Sequence, residues 1–162
     1  MRLLVIGAGL IGARHIKTIS EHENCELVGI VDPYLTGSDN FTVPIFQSIE
    51  DVDIQIDGAI IATPTSHHNE HTTQAANRGW HVLIEKPVAG TLADADNLIA
   101  ATQKARVQTL VGHHRRYHAS LQHLKKIIAD GTIGAPVLAN LIWAVRKPDN
   151  YFQNNWRSQE GS

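Results

Sequence analysis

Leu3-Leu4-Val5-Ile6-Gly7-Ala8-Gly9-Leu10-Ile11-Gly12 sets four apolar residues directly before glycines at positions 7, 9 and 12. The apolar run reads as a strand buried on both faces, and the glycines follow in the order that a strand-to-helix turn around a pyrophosphate requires. Gly7 permits the tight turn, Gly9 lets the backbone approach a phosphate, and Gly12 lets the next helix pack closely on the strand.

The surrounding sequence supplies the context that a glycine pattern needs. Leu10, Ala13, Ile16, Lys17 and Ser20 recur at helical spacing, with Arg14, His15 and Lys17 suited to the outer face of that helix. A second apolar run, Leu27 to Val31, ends in Asp32, twenty positions after Gly12. That is about the separation at which a carboxylate at the tip of the second strand meets an adenosine ribose. No Lys or Arg occurs between Lys17 and Arg78. With Asp32 repelling a 2′-phosphate and no local cation to attract one, NAD is expected in preference to NADP. Charged residues follow the first apolar run where a secretory segment would have a small-residue cleavage site, so export is not expected.

Composition narrows the partners. Fourteen basic and 16 acidic residues give a formal net charge of −2, which argues against nucleic acid or an anionic membrane and for a small-molecule partner. No apolar run approaches the roughly twenty residues of a membrane span. Cys25, the single cysteine, fits a reducing cytoplasmic compartment and a semi-buried place before the second strand.

Further along, strand and helix patterns alternate. Pro33 to Asn40 reads as a loop, Val43 to Phe46 as a short edge strand interrupted by Pro44, and Ser48 with Asp51 as a capped turn. Gly58 to Ala62 reads as a strand ending at Thr63-Pro64-Thr65-Ser66, and a helix is expected from His67 to Arg78, stopped by Gly79. Trp80 to Ile84 is the next strand, Thr91 with Asp94 opens a helix through Thr102, and Val107 to Val111 is a further strand. The alternation predicts an α/β fold with a doubly wound parallel sheet. Loops beyond the carboxyl ends of its strands should share one crevice, including the loop at Thr63 and Glu85-Lys86-Pro87. A lysine placed there could bind a substrate hydroxyl and help move its proton during hydride transfer, and a surface ion pair is the alternative reading.

With these residues in view, the chain resembles the Gfo/Idh/MocA family, which takes its name from glucose-fructose oxidoreductase and inositol dehydrogenase. The resemblance rests on Gly7 to Gly12, Asp32, Ala62-Thr63-Pro64 with His67-His68 behind it, Glu85-Lys86-Pro87 and Gly112-His113-His114-Arg115-Arg116-Tyr117. It implies a Rossmann domain and NAD(P)-dependent hydride transfer to or from a sugar, inositol or related polyol, which the expected cofactor preference narrows to NAD. Carried over residue by residue, it makes Lys86 the catalytic lysine. Gly7, Gly9, Leu10, Ile11, Gly12, Asp32, Thr63, Pro64, Thr65, His68, Glu85 and His114 become cofactor contacts, and Tyr117, Trp156 and Arg157 substrate contacts. Family members usually carry asparagine or a similar residue where this chain has His114.

The resemblance also divides the chain into an NAD-binding domain over residues 1–118 and the opening of an incomplete α+β substrate and oligomerisation domain over 119–162. A helix is expected from Ala119 to Ala129, and Val137 to Val145 reads as a long apolar strand. Its unpaired edges predict self-association, and a homo-oligomer is expected. The resemblance further implies that an early helix of the second domain carries an Asp and a His that complete the site, and a chain lacking them is expected to bind NAD without turning over substrate. His67 with His71, and His114 with His118, stand one helical turn apart; Glu70 lies between the first two but not in the His-Glu-x-x-His order of a zinc protease, and no metal is expected. A non-catalytic NAD-binding sensor or corepressor, and an NAD-dependent glycosidase, are the alternatives within the same family.

Overall fold

The computed structural model describes residues 1–36 and 41–146. Among them, β1 (Arg2–Ile6), β2 (Glu26–Val31), β3 (Ile45–Phe46), β4 (Gly58–Ile61), β5 (His81–Ile84) and β6 (Thr109–Val111) form one sheet in the order β3-β2-β1-β4-β5-β6. Every pairing is parallel. The order runs outward in both directions from β1 and β4, which makes the carboxyl edge beside β1 the topological switch point where ligands bind in such sheets. The predicted Rossmann-type α/β fold is therefore the observed one.

Register aligns the strand ends. Ile6 lies opposite Val31 on one side and Ile61 on the other, Ile61 opposite Ile84, and Ile84 opposite Val111. Gly7, Asp32, Ala62, Glu85 and Gly112 consequently all leave the sheet at the same edge. Their backbone continues the ladder: Gly7 N donates to Val31 O, Ala62 N to Ile6 O, Glu85 N to Ile61 O and Gly112 N to Ile84 O, at 2.7–2.9 Å.

Helices cover both faces because the strands are apolar on both. On one face Leu4, Ile6, Ile61 and Ile84 pack with Ala75 of α2 (His68–Asn77) and Leu98 of α3 (Leu92–Ala105). On the other, Val5 and Ile60 pack with Ile19 of α1 (Leu10–Ser20) and with Cys25. Each such side chain, fully buried, contributes on the order of 1.5–3 kcal/mol, so the two faces together fix the strand tips. No described helix is long and apolar enough to cross a membrane.

Several boundaries differ from expectation. β3 is only two residues long and starts after Pro44, whose carbonyl accepts from Ile30 N at 3.0 Å. β5 begins at His81 rather than Trp80, and β6 at Thr109 rather than Val107. The helix expected from His67 opens earlier, as a 3₁₀ turn over Thr65–His67 that leads into α2. The Thr91 cap is as read: Thr91 Oγ1 accepts from Asp94 N at 3.1 Å and donates to Asp94 Oδ2 at 2.7 Å. α3 runs past Thr102 to Ala105 and stops at Arg106, which adopts φ +57° without being glycine.

The chain divides into two compact units, Met1–Gly112 and a second that begins at His113. In the second unit a 3₁₀ turn (His114–Tyr117) precedes α4 (Ala119–Ala129), and the His118 side chain accepts from Ser120 N at 3.3 Å. The strand expected over Val137 to Val145 is absent: these residues take no regular structure, and Val137, Leu138, Leu141 and Ile142 are 83–98% exposed. A strand needs a neighbour to complete its ladder, and none of the described residues in this unit supplies one.

Candidate functional site

The glycine loop shows why each glycine stands where it does. Gly7 has φ +88°, and a Cβ there would lie 2.9 Å from Thr63 N and Thr63 Cγ2. At Gly12 a Cβ would fall 1.8 Å from Gly7 O, so only glycine lets α1 start this close to β1. Gly9 is different. It has φ −61° and ψ −169°, and a Cβ on it would meet no atom within 4 Å. The folded chain itself therefore does not require glycine at position 9, and the open space before it suits a ligand pressed against the backbone. α1 has no side-chain cap and no acidic residue in its first turn, so its leading N–H groups and positive dipole end are offered to an anion. A dinucleotide pyrophosphate fits this cradle.

Asp32 closes one side of the loop. Its Oδ2 accepts from Ala8 N at 2.8 Å and its Oδ1 from Tyr34 N at 2.9 Å. A carboxylate offers about four acceptor positions, so two remain for ribose hydroxyls after these backbone bonds are made.

The loop after β4 is tied down by two histidines of the helix behind it. His71 Nδ1 lies 3.1 Å from Thr63 Oγ1. Burial pushes the His71 pKa below its ordinary 6.5, with the neighbouring His67 adding to the effect, so this ring is neutral near pH 7. His68 is only 1% exposed, and its two ring nitrogens lie 2.9 Å from Pro87 O and 3.0 Å from Thr63 O. Expected to contact cofactor, His68 is instead sealed inside, joining the Thr63 loop to the Lys86-Pro87 turn. Thr65, likewise expected at the cofactor, is buried at 6% exposure where the 3₁₀ turn begins. Pro64 is half-buried and its carbonyl accepts from His67 N at 2.9 Å.

At the end of β5 the two charges separate. Glu85 Oε1 lies 2.8 Å from His15 Nε2, with the side chains 13% and 21% exposed. His15 thus faces the sheet edge and not the outer face of α1, because Gly12 brings that turn of helix against the strands. Gly112 has no side chain where Glu85 sits, and a Cβ there would lie 2.9 Å from Glu85 Oε1. Lys86 is exposed, its peptide bond to Pro87 is cis, and its ammonium has no hydrogen-bond or ion-pair partner among the described residues. Lys86 and Glu85 are therefore not a surface ion pair.

Among the residues read as site candidates, Gly7, Gly9, Gly12, Asp32, Thr63, Glu85 and Lys86 follow aligned strand ends or the turn after β1. Leu10 is 63% exposed at the start of α1 and Ile11 is half-buried. His114 and Tyr117 belong to the second unit, where Tyr117 is 74% exposed. Trp156 and Arg157 lie outside the described residues. The sequence reading placed His15 on the outer face of the helix and His71 only in a histidine pair, and gave neither a part in this site; His15 falls three residues after Gly12, on the turn that the glycine brings against the sheet.

Known proteins share this sequence pattern and fold. Residues 1–113 match the family described as an oxidoreductase family with an NAD-binding Rossmann fold. The chain is 36% identical over 135 residues to glucose-6-phosphate 3-dehydrogenase of Bacillus subtilis, covering 80% of this chain and 38% of that protein. It is 31% identical over 145 residues to myo-inositol 2-dehydrogenase of Thermotoga maritima, covering 84% and 43%. Among solved structures it resembles the WlbA dehydrogenase of Bordetella pertussis in complex with NADH and UDP-GlcNAcA, with a TM-score of 0.75, 31% identity and coverage of 80% and 42%. The chain thus spans less than half the length of these relatives. On the match over residues 1–113 and these relatives, the chain belongs to the Gfo/Idh/MocA oxidoreductase family.

Proposed function

We propose that this chain carries the cofactor-binding part of an NAD-dependent dehydrogenase for a sugar, inositol or related polyol, with Lys86 holding the reacting hydroxyl. The observation that carries this reading is the tip of β5, where Glu85 is held by His15 and leaves Lys86 exposed, and unpaired among the described residues, at the edge that also bears the glycine loop. Relatives named for dehydrogenation of glucose 6-phosphate and myo-inositol support the substrate class.

In this reading residues 1–118 bind cofactor and residues 119–162 open the substrate domain. The first-turn N–H groups at Leu10, Ile11 and Gly12 hold the pyrophosphate, and Asp32 accepts from the adenosine ribose. Thr63, Pro64 and Glu85 border the cofactor from the neighbouring strand ends. When bound, the nicotinamide supplies the hydride acceptor. Lys86 Nζ donates a hydrogen bond to the substrate oxygen and stabilises the negative charge that grows there, while the hydroxyl proton passes to the second-domain His that the family resemblance implies. His68 and His71 keep the Thr63 loop and the Lys86-Pro87 turn in fixed relation. NAD is preferred over NADP because Asp32 meets the 2′ position without a nearby cation, and the assembled protein is a homo-oligomer.

The test is a panel of inositols and sugars offered to the full-length protein with NAD and with NADP, read as formation of reduced cofactor. Turnover of at least one polyol with NAD is expected. Tight NAD binding with no turnover across the panel would count against an enzyme and for a sensor.

A further inference from the structure

We propose that His67, Glu70 and His71 form a binding site for one transition-metal dication of the zinc class, at the start of α2. The sequence places Glu70 between two histidines one turn apart without showing that the three meet. The structure brings them together: one ligand atom from each of His67, Glu70 and His71 lies within 4.8 Å of those of the other two. Residues at positions i, i+3 and i+4 share a helical face, so the backbone already gathers the three donors.

The remaining adjustment is small and falls on side chains free to make it. Ligands at about 2.0–2.2 Å from a tetrahedral zinc ion lie roughly 3.4 Å from each other, so the group must tighten by about an ångström. His67 and Glu70 have side chains 53% and 63% exposed, and His67 Nδ1 already stands 3.9 Å from Glu70 Oε2. The two imidazoles are stacked, with centroids 5.5 Å apart and planes inclined by 20°, so the exposed His67 ring must turn to share an ion with His71.

His71 carries the feature that separates a built ligand from a surface histidine. Its Nδ1 is held 3.1 Å from Thr63 Oγ1, which fixes the ring and leaves Nε2 as the nitrogen available to an ion. Metal-binding histidines commonly have their second nitrogen engaged in this way, and loss of that outer partner weakens binding. Charge favours a cation: the sequence has no Lys or Arg from residue 18 to 77, and Glu50 reaches α2 through Gln74 at 2.7 Å. Two imidazoles with one carboxylate select zinc, cobalt, nickel or copper over magnesium or calcium. A fourth position remains open to water. No reaction is assigned to the ion, and because His71 grips Thr63, an occupied site would stiffen the loop after β4.

The test is titration of the chain with Co²⁺, followed by visible absorption, and with Zn²⁺, followed by the shift in melting temperature. One equivalent should bind, and Zn²⁺ should raise the melting temperature. His67→Ala, at an exposed position that leaves the fold intact, should abolish both signals, and Glu70→Gln should weaken binding. Thr63→Val should weaken it about tenfold or more, the range found when an outer partner of a ligand is removed. Failure of the wild-type chain to bind either ion would overturn the proposal. So would wild-type binding in His67→Ala, since the ion would then reside on other histidines.

Discussion

Gly9 and Gly12 look alike in sequence, and the structure assigns them opposite costs. Gly12→Ala puts a Cβ 1.8 Å from Gly7 O, a backbone atom that cannot rotate away. Overpacking typically costs 1–3 kcal/mol where side chains can yield, so about 3 kcal/mol or more is expected here, with displacement of α1 from β1. Gly9→Ala meets no atom within 4 Å and keeps a backbone conformation open to any residue. Alanine is the poorer N-cap, which costs up to about 1 kcal/mol. The reduced freedom of the unfolded chain offsets about 0.4–1 kcal/mol of that, leaving stability nearly unchanged. The methyl instead fills the space offered to the pyrophosphate, and NADH affinity should fall at least tenfold, about 1.4 kcal/mol. Urea denaturation followed by circular dichroism, beside calorimetric titration with NADH, separates the two effects. Equal destabilisation by both substitutions, or unchanged NADH affinity in Gly9→Ala, would refute the reasoning.

Three further outcomes are expected. The wild-type chain should bind NADH more tightly than NADPH, and Asp32→Ala should narrow the gap while costing about 1–3 kcal/mol of stability through the lost bonds to Ala8 N and Tyr34 N; equal affinities in the wild type by calorimetry would exclude the cofactor preference. Because burial holds His71 below 6.5, the unfolded chain takes up a proton on acidification before the folded chain does, so stability falls as pH drops from about 6.5 toward the lower folded value. Thermal melts across that window should show a shallower loss in His71→Asn, and identical slopes would remove His71 from the account. Leu141 and Ile142 are 89% and 83% exposed, so the isolated chain should self-associate, and changing both to serine should lower the concentration-dependent light scattering; scattering that is flat with concentration in the wild type would contradict this.

The fold was legible because its signals are local. Leu3 to Ile6 is apolar without interruption, Thr91 with Asp94 carries a reciprocal cap, and Gly79 adopts the φ of +77° that a glycine stop implies. The end of α3 was not legible, because Arg106 takes the left-handed conformation with no glycine to announce it. Val137 to Val145 has strand composition, and composition cannot supply the neighbouring strand that a ladder needs. In the site, sequence located the residues that follow strand ends but not those that hold them. His15 reaches Glu85 across 70 positions and His68 reaches Pro87 across 19, and such pairings arise only when α1 and α2 pack on opposite faces of one sheet. His68 was read as a cofactor contact through the family resemblance; its burial turns it into a brace for that loop.

The central claim concerns Lys86, which is exposed at the tip of β5 and whose ammonium has no partner among the described residues. In the full-length protein, single-turnover hydride transfer should be measured for the wild type and Lys86→Ala beside NADH affinity. A loss of transfer rate of about 10²-fold or more is expected from removal of a positioned donor to the developing oxyanion, with NADH affinity essentially unchanged. A near-normal transfer rate in Lys86→Ala, or a loss fully explained by weaker NADH binding, would contradict the account.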